Sequence, residues 1–215
     1  CFTNTGFSGI ITNMPETPKV EDILSNFPQK MNIKEGDKNW IIKAFNFAEK
    51  SHEGQKRASG EPYFNHVFEV AKTLAKLGMD PKTVVAGILH DTIEDTEATE
   101  EQIEEEFGKE VLFLVNGVTK LGTLKYRGRE RHVESLRKFF VAMAEDVRVI
   151  IIKLADRLHN VSTLKHLKPE KAKRIALETI EIHAPLANRL GMWKLKGQLE
   201  DLAFPFAFPK EAEDL

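Results

Sequence analysis

The stretch Gly87-Ile88-Leu89-His90-Asp91-Thr92-Ile93-Glu94-Asp95-Thr96 brings one imidazole and three carboxylates close together in the chain. If it is helical, His90 and Glu94 stand at i and i+4, Asp91 and Glu94 at i and i+3, and Asp91 and Asp95 at i and i+4. Residues at those spacings share a face. Val84, Val85, Ile88 and Leu89 are apolar, so the helix is expected to be buried at its start. Carboxylates clustered against apolar surface are costly unless positive charge neutralises them. A divalent cation meets that need, and a solvated acidic helix end is the other reading.

Two further positions have the chemistry to join such a site. Asp156 interrupts an apolar run that includes Val149, Ile150, Ile151, Ile152, Leu154 and Ala155, with Asn160 and Thr163 at i+4 and i+7. A carboxylate in such surroundings needs a partner, either a Lys or Arg or a metal. His66 opens another apolar-faced helix, so His66, His90, Asp91 and Asp156 are four candidate ligands on three predicted helices. Spacing alone does not bring them together. The loop Gln55-Lys56-Arg57-Ala58-Ser59-Gly60-Glu61-Pro62-Tyr63 sets two cations among small residues, which suits an anionic ligand or an ordinary basic turn.

The elements that must position these groups all read as helices. A short helix is expected from Pro18 to Phe27 on Val20, Ile23, Leu24 and Phe27. A long one should run from an Asp37 cap to about His52, stopped by Gly54. The helix after His66 presents Val67, Val70, Ala71, Leu74 and Leu77 and stops at Gly78. Asp80-Pro81 is a cap followed by proline at the first helical position, and it opens the central helix. Thr99 with Gln102 resembles a capping box for an acidic helix that turns Ile103 and Phe107 inward. Lys109 to Leu121 is amphipathic, residues 122–131 read as a basic, glycine-punctuated loop, and Val133 to Ala144 as a helix with Leu136, Phe139, Phe140 and Met143 inward. Asp146 should cap a buried helix from Val147 to about Leu167, since no partner strand appears for its apolar half. Pro169 starts a helix to about Ile182 that Pro185 breaks or kinks. A last helix is expected over Met192 to Ala203, followed by a proline-broken apolar tail. The fold class is all-α, with roughly ten helices. Residues 1–18 read as a flexible lead-in, 19–204 as one domain, and 205–215 as a tail or the start of a truncated linker.

Bulk properties narrow the function classes. The 215 residues are 41% apolar and 30% charged, with a net charge of −2. That is an ordinary globular composition with no strong pull toward nucleic acid or an anionic membrane. The single Cys1 allows no intrachain disulfide and suits a reducing, cytoplasmic setting. No apolar run reaches membrane-spanning length, and residues 1–18 lack the basic start and apolar core of a signal peptide.

The order His66, His90-Asp91, Asp156 resembles the signature of the HD phosphohydrolase superfamily, an all-helical fold in which those residues ligate one divalent cation. The resemblance sharpens in three motifs: Arg57-Ala58-Ser59-Gly60-Glu61-Pro62-Tyr63-Phe64-Asn65-His66, His90-Asp91-Thr92-Ile93-Glu94-Asp95-Thr96 and Lys153-Leu154-Ala155-Asp156-Arg157-Leu158-His159-Asn160. These look like the hydrolase motifs of the RelA/SpoT family, as do Gly117-Val118-Thr119-Lys120-Leu121 and Ala184-Pro185-Leu186-Ala187-Asn188-Arg189-Leu190-Gly191. The match runs from about residue 35 to about residue 204.

The resemblance implies hydrolysis of the 3′-pyrophosphate of ppGpp and pppGpp to GDP or GTP plus pyrophosphate. It implies Mn²⁺ as the metal, held by His66, His90, Asp91 and Asp156, and Glu94 and Asp95 as the groups that position or deprotonate water. It also implies Arg57 stacked on the guanine, with Ser59, Asn160 and Thr163 lining the nucleoside pocket. Lys153, Arg157 and His159 are read as supporting neighbours of Asp156. Two positions depart from the family pattern: Val67 follows His66 in place of a proline, and Ala58 stands where a lysine is common, which weakens ligand affinity. Family members usually continue into a nucleotide pyrophosphokinase domain, so this chain reads as an excised hydrolase domain or a stand-alone small alarmone hydrolase. The competing readings are an HD phosphohydrolase for another nucleotide and a catalytically inactive nucleotide-sensing module.

Overall fold

The computed structural model describes residues 18–122, 137, 141–142 and 144–213. Among them the chain is all-α, as expected; the β geometry they contain is an isolated antiparallel bridge between Lys56 and Pro62. The elements are α1 (Val20–Ser25), α2 (Glu35–Ser51), α3 (Phe64–Lys76), α4 (Pro81–Leu89), α5 (Thr92–Asp95), α6 (Glu100–Phe107), α7 (Lys109–Gly122), α8 (Val147–Ser162), α9 (Pro169–Glu178), α10 (Ala184–Arg189), α11 (Trp193–Ala207) and α12 (Pro209–Glu213). A 3₁₀ turn (Leu164–His166) follows α8, and a π turn (Thr179–His183) joins α9 to α10.

Helix α4 is packed by α2, α3, α7 and α8. Its sequence explains that place. Asp80 accepts from the N–H groups of Lys82 and Thr83, Pro81 follows, and every residue from Thr83 to Leu89 is buried. A helix that is apolar all round has no solvent face to present. Gly87 permits the closest approach: a Cβ there would lie 2.2 Å from Leu74 Cδ1 of α3. Gly117 does the same between α7 and α8, where a Cβ would lie 2.7 Å from Val149 Cγ2. Helix α8 packs against α3, α4 and α7 and also against α11 and the π turn. Its apolar half is a buried helix, with Val149, Ile150, Ile152, Leu154 and Ala155 inside.

Several local expectations hold. Asp146 caps α8 through the Arg148 N–H, and Thr99 with Gln102 forms the complete capping box of α6. Four need correction. Helix α2 begins at Glu35 after Lys34, ahead of Asp37, which lies in its first turn. The central helix does not run through Thr96: it ends at Leu89, and Asp91 (φ −103°, ψ −3°) separates it from the single turn of α5. Pro185 breaks nothing, because it falls in the first turn of α10 directly after the widened π turn. Pro205 lies inside α11, which runs on to Ala207. The bond it forgoes is to the carbonyl of Asp201, an exposed residue where water can substitute. The expected loop and the inward positions Leu136, Phe139, Phe140 and Met143 lie outside the described residues. No helix of the described residues is long and apolar enough to cross a membrane.

Candidate metal centre and adjoining cleft

Three helices and one break converge on a single point. Helix α3 supplies His66 from its first turn, the end of α4 supplies His90, and α8 supplies Asp156; all three are buried. One ligand atom from each lies within 4.8 Å of the others. Asp91, in the break after α4, joins them, its Oδ2 lying 3.5 Å from His66 Nε2 and 3.1 Å from His90 Nε2. Asp156 Oδ1 is 3.2 Å from His66 Nε2 and 4.0 Å from His90 Nε2. The four residues that the sequence scattered over separate elements are thus brought together. The break that ends α4 is what turns Asp91 toward the imidazoles.

The donor chemistry fits a divalent cation. His90 Nδ1 is 2.8 Å from the Gly87 carbonyl and donates to it, which turns Nε2 toward the carboxylates. That Nε2 atom is buried and makes no hydrogen bond. His66 is prepared in the same way: its Nδ1 faces His159 Nδ1 at 2.8 Å, and its Nε2 faces the carboxylates. Burial, together with the nearby His66 and Arg57, lowers the His159 pKa to about 3. His159 is therefore neutral, and Arg57 Nη1, which can only donate, faces its Nδ1 at 2.9 Å; Nδ1 is then the acceptor, and the shared His66 proton sits on His66 Nδ1. Imidazoles whose second nitrogen is held by a neighbour are the usual form of metal-ligating histidine.

The electrostatics point the same way. Burial pushes the Asp91 carboxyl up, but His90 and His66 outweigh it and hold it well below the usual range. For Asp156 burial is opposed by Lys153 first and then by the imidazoles, with the same result. Lys153 Nζ lies 2.8 Å from Asp156 Oδ2, and this carboxylate raises the ammonium pKa against the effect of burial. Burial disfavours charge on His90, yet Asp91 and Asp156 lift its pKa to about 8, so near neutral pH a cation binding there displaces a proton from Nε2. Glu94 and Asp95 lie on the exposed turn of α5. Partial burial, then Asp91 and Asp95, raise the Glu94 carboxyl pKa.

A cleft of about 400 Å³ adjoins the cluster and shares Asp156 with it. All four expected nucleoside-pocket residues, Arg57, Ser59, Asn160 and Thr163, line it. Arg57 Nη1 is 2.9 Å from His159 Nδ1, and its Nη2 donates to Asn160 Oδ1. Asn160 in turn donates to Asp156 Oδ1, so the loop arginine is tied to the metal-side aspartate through one amide. Ser59 Oγ accepts weakly from the Glu61 N–H at 3.4 Å. The Thr163 hydroxyl turns back to the Asn160 carbonyl at 3.1 Å, as a helix-end threonine does. Lys56, Lys153, Arg157 and Lys171 also face the cleft, and among its described lining residues Asp156 alone is acidic. Such an excess of positive charge suits a polyphosphate.

Sequence reasoning gave no role to Tyr63, whose hydroxyl lies 2.7 Å from both Asp91 Oδ2 and Asp95 Oδ2. Its place in the Arg57–His66 motif was visible; its partners across the fold were not.

Comparison with known proteins follows the same line. The family model described as HD domain matches residues 44–193. A protein of Aquifex aeolicus named guanosine-3′,5′-bis(diphosphate) 3′-pyrophosphohydrolase is 50% identical over 90% of this chain and 27% of its own length. The bifunctional (p)ppGpp synthase/hydrolase SpoT of Escherichia coli is 52% identical over 79% of this chain and 24% of its own length. The chain therefore spans about a quarter of the length of these curated relatives. A solved structure titled as a metazoan ortholog of SpoT that hydrolyzes ppGpp shares the fold at a TM-score of 0.57 and 25% identity, over 80% of this chain and 96% of that one. The chain belongs to the HD-domain family, and its motifs and relatives place it with the RelA/SpoT proteins.

Proposed function

We propose that the chain hydrolyses the 3′-pyrophosphate of ppGpp and pppGpp, releasing pyrophosphate and leaving GDP or GTP, with one Mn²⁺ as cofactor. The observation that carries this reading is the contact of a four-ligand cluster with a cationic cleft through one shared residue, Asp156. The names of the relatives at about 50% identity support the substrate, and the mixed imidazole and carboxylate donors support Mn²⁺. Residues 19–204 are proposed as the catalytic unit, which α11 extends to the buried Ala207, and the rest of 205–215 as a tail or linker.

His66, His90, Asp91 and Asp156 would hold the cation. When bound, it would supply the Lewis acidity that activates a water and offsets phosphoryl charge. The chain's own residues do the rest. His159 and the Gly87 carbonyl keep the His66 and His90 protons on Nδ1, so both Nε2 atoms stay available. Glu94, with Asp95 beside it, accepts the proton of the attacking water; its raised pKa brings it nearer to the working pH of a general base. Arg57 offers a guanidinium plane to the guanine, and Ser59, Asn160 and Thr163 line the nucleoside space. Lys56 and Lys171 balance the phosphates, while Lys153 and Arg157 hold Asp156 and Glu178.

The test is a comparison of ppGpp, pppGpp and nucleotides without a 3′-pyrophosphate, with products separated chromatographically. Pyrophosphate should appear from the first two alone. Equal release from a 5′-triphosphate lacking the 3′ group would replace this reading with a less selective nucleotide hydrolase.

A further inference from the structure

Tyr63 lines the cleft, but the nucleoside pocket does not account for the contacts of its hydroxyl. Its hydroxyl is 2.7 Å from Asp91 Oδ2, the same oxygen that faces both imidazoles, and 2.7 Å from Asp95 Oδ2. Its ring is stacked on the buried His52 (centroids 4.8 Å apart, 20° between planes) and meets His66 edge-on at 5.8 Å. The Arg57 guanidinium lies 5.8 Å from the same ring. The backbone holds it from both sides: the Tyr63 N–H donates to the Gln55 carbonyl, and the Gln55 side chain donates to the Asp95 carbonyl. Gln55 Oε1 is in turn 2.9 Å from His52 Nδ1.

The phenol has one hydrogen and two carboxylates within reach of it. Both carboxylate oxygens can only accept while they are ionised, so the phenol O–H is the donor to each contact. While Asp91 carries its full charge, the two acceptors compete. Lying 2.7 Å from both, the hydroxyl ties the Asp91 and Asp95 carboxylates to one point.

We infer that Tyr63 is a positioning residue that braces the ligand oxygen of Asp91 and orients Asp95 through one shared hydroxyl. The inference rests on the proposed ligand and catalytic roles of Asp91 and Asp95. It assigns the Gln55–Tyr63 loop a second duty: the loop that carries Arg57 into the cleft also sets the acidic turn of α5.

The experiment uses the whole chain, the single variants Tyr63→Phe, Asp91→Ala and Asp95→Ala, and the Tyr63→Phe/Asp95→Ala double variant, with Mn²⁺ titrated calorimetrically and ppGpp turnover measured at saturating Mn²⁺. Tyr63→Phe keeps the ring and its stack. It is expected to weaken Mn²⁺ by about tenfold, as loss of a ligand's hydrogen-bond partner does. It should also lower kcat on the order of 10²-fold with little change in KM. The double variant with Asp95→Ala should be scarcely slower than the slower single, because both changes remove the same hydroxyl–carboxylate contact. If Asp91→Ala loses Mn²⁺ but Tyr63→Phe keeps parental affinity and kcat, or if the two losses in kcat simply multiply, the Tyr63 inference falls alone. If Asp91→Ala binds Mn²⁺ as the parent does, the ligand reading falls and takes the inference with it.

Discussion

Two clusters of charged side chains lie at the two ends of α4, and they solve the same problem in opposite ways. At its start, Asp80, Lys82, Glu110, Asp146 and Arg148 tie α4, α7 and α8 together near the surface. Arg148 Nη2 is 2.7 Å from Asp146 Oδ2 and Nη1 is 2.9 Å from Glu110 Oε1, while Lys82 pairs with the same Glu110. Each charge there meets its opposite within the chain. At the other end His66, His90, Asp91 and Asp156 are packed inward, and the buried His90 Nε2 makes no hydrogen bond. Both clusters clamp helices, but only the second leaves lone pairs converging on one point. A closed set of ion pairs holds a fold, whereas a set left open toward one point can take a cation.

The comparison breaks most sharply under aspartate removal. Asp156→Ala is expected to abolish Mn²⁺ binding and turnover and to strand the buried Lys153, while Asp146→Ala should bind Mn²⁺ like the parent. Calorimetric titration of the two variants separates them, and equal affinities would erase the distinction. Next in size, Glu94→Gln should retain Mn²⁺ yet lose on the order of 10²- to 10⁴-fold in kcat. Parental single-turnover rates would remove Glu94 from the chemistry. Arg57→Ala should raise KM for ppGpp by about tenfold, close to 1.4 kcal/mol, with a smaller change in kcat; steady-state kinetics reads the split.

The smallest effects belong to the closed cluster. Asp146→Ala removes a helix cap and should cost about 1 kcal/mol in denaturant unfolding. Hydrogen bonds from Arg148 hold the Asp146 carboxyl below its ordinary value, and those from Lys82 and Arg148 do the same for Glu110. Groups depressed on folding stabilise the fold above the unfolded carboxyl pKa of about 4 and lose that contribution as pH falls through the folded value. Arg148→Ala should therefore flatten the decline of stability on the acid side of pH 4 or so. An unchanged acid slope would mean the pairs contribute nothing.

How far the sequence could be read depended on whether the determinant was local. Asp80-Pro81, Thr99 with Gln102 and Asp146 each act within three residues, and each cap stands where the sequence put it. The metal-side set was legible as a list of residue types, but nothing in it revealed that Asp91 lies in a break instead of on a continuous helix face. That break depends on how α4 is buried and where α5 turns, which are tertiary facts. Pro185 and Pro205 misled because local rules treat proline as a stop. Here a π turn accommodates the first, and the second forgoes a bond to the carbonyl of an exposed residue. Tyr63 stayed silent for the same reason, since its partners lie far along the chain and meet it only in the fold.

The most direct test of the central claim is pyrophosphate release from ppGpp with Mn²⁺, with chelator, and with Asp156→Ala. Release of pyrophosphate and GDP with Mn²⁺ alone, lost on chelation and in the variant, is the expected result. Turnover that persists under chelation or in Asp156→Ala would contradict it, and the open cluster would then have no place in the reaction.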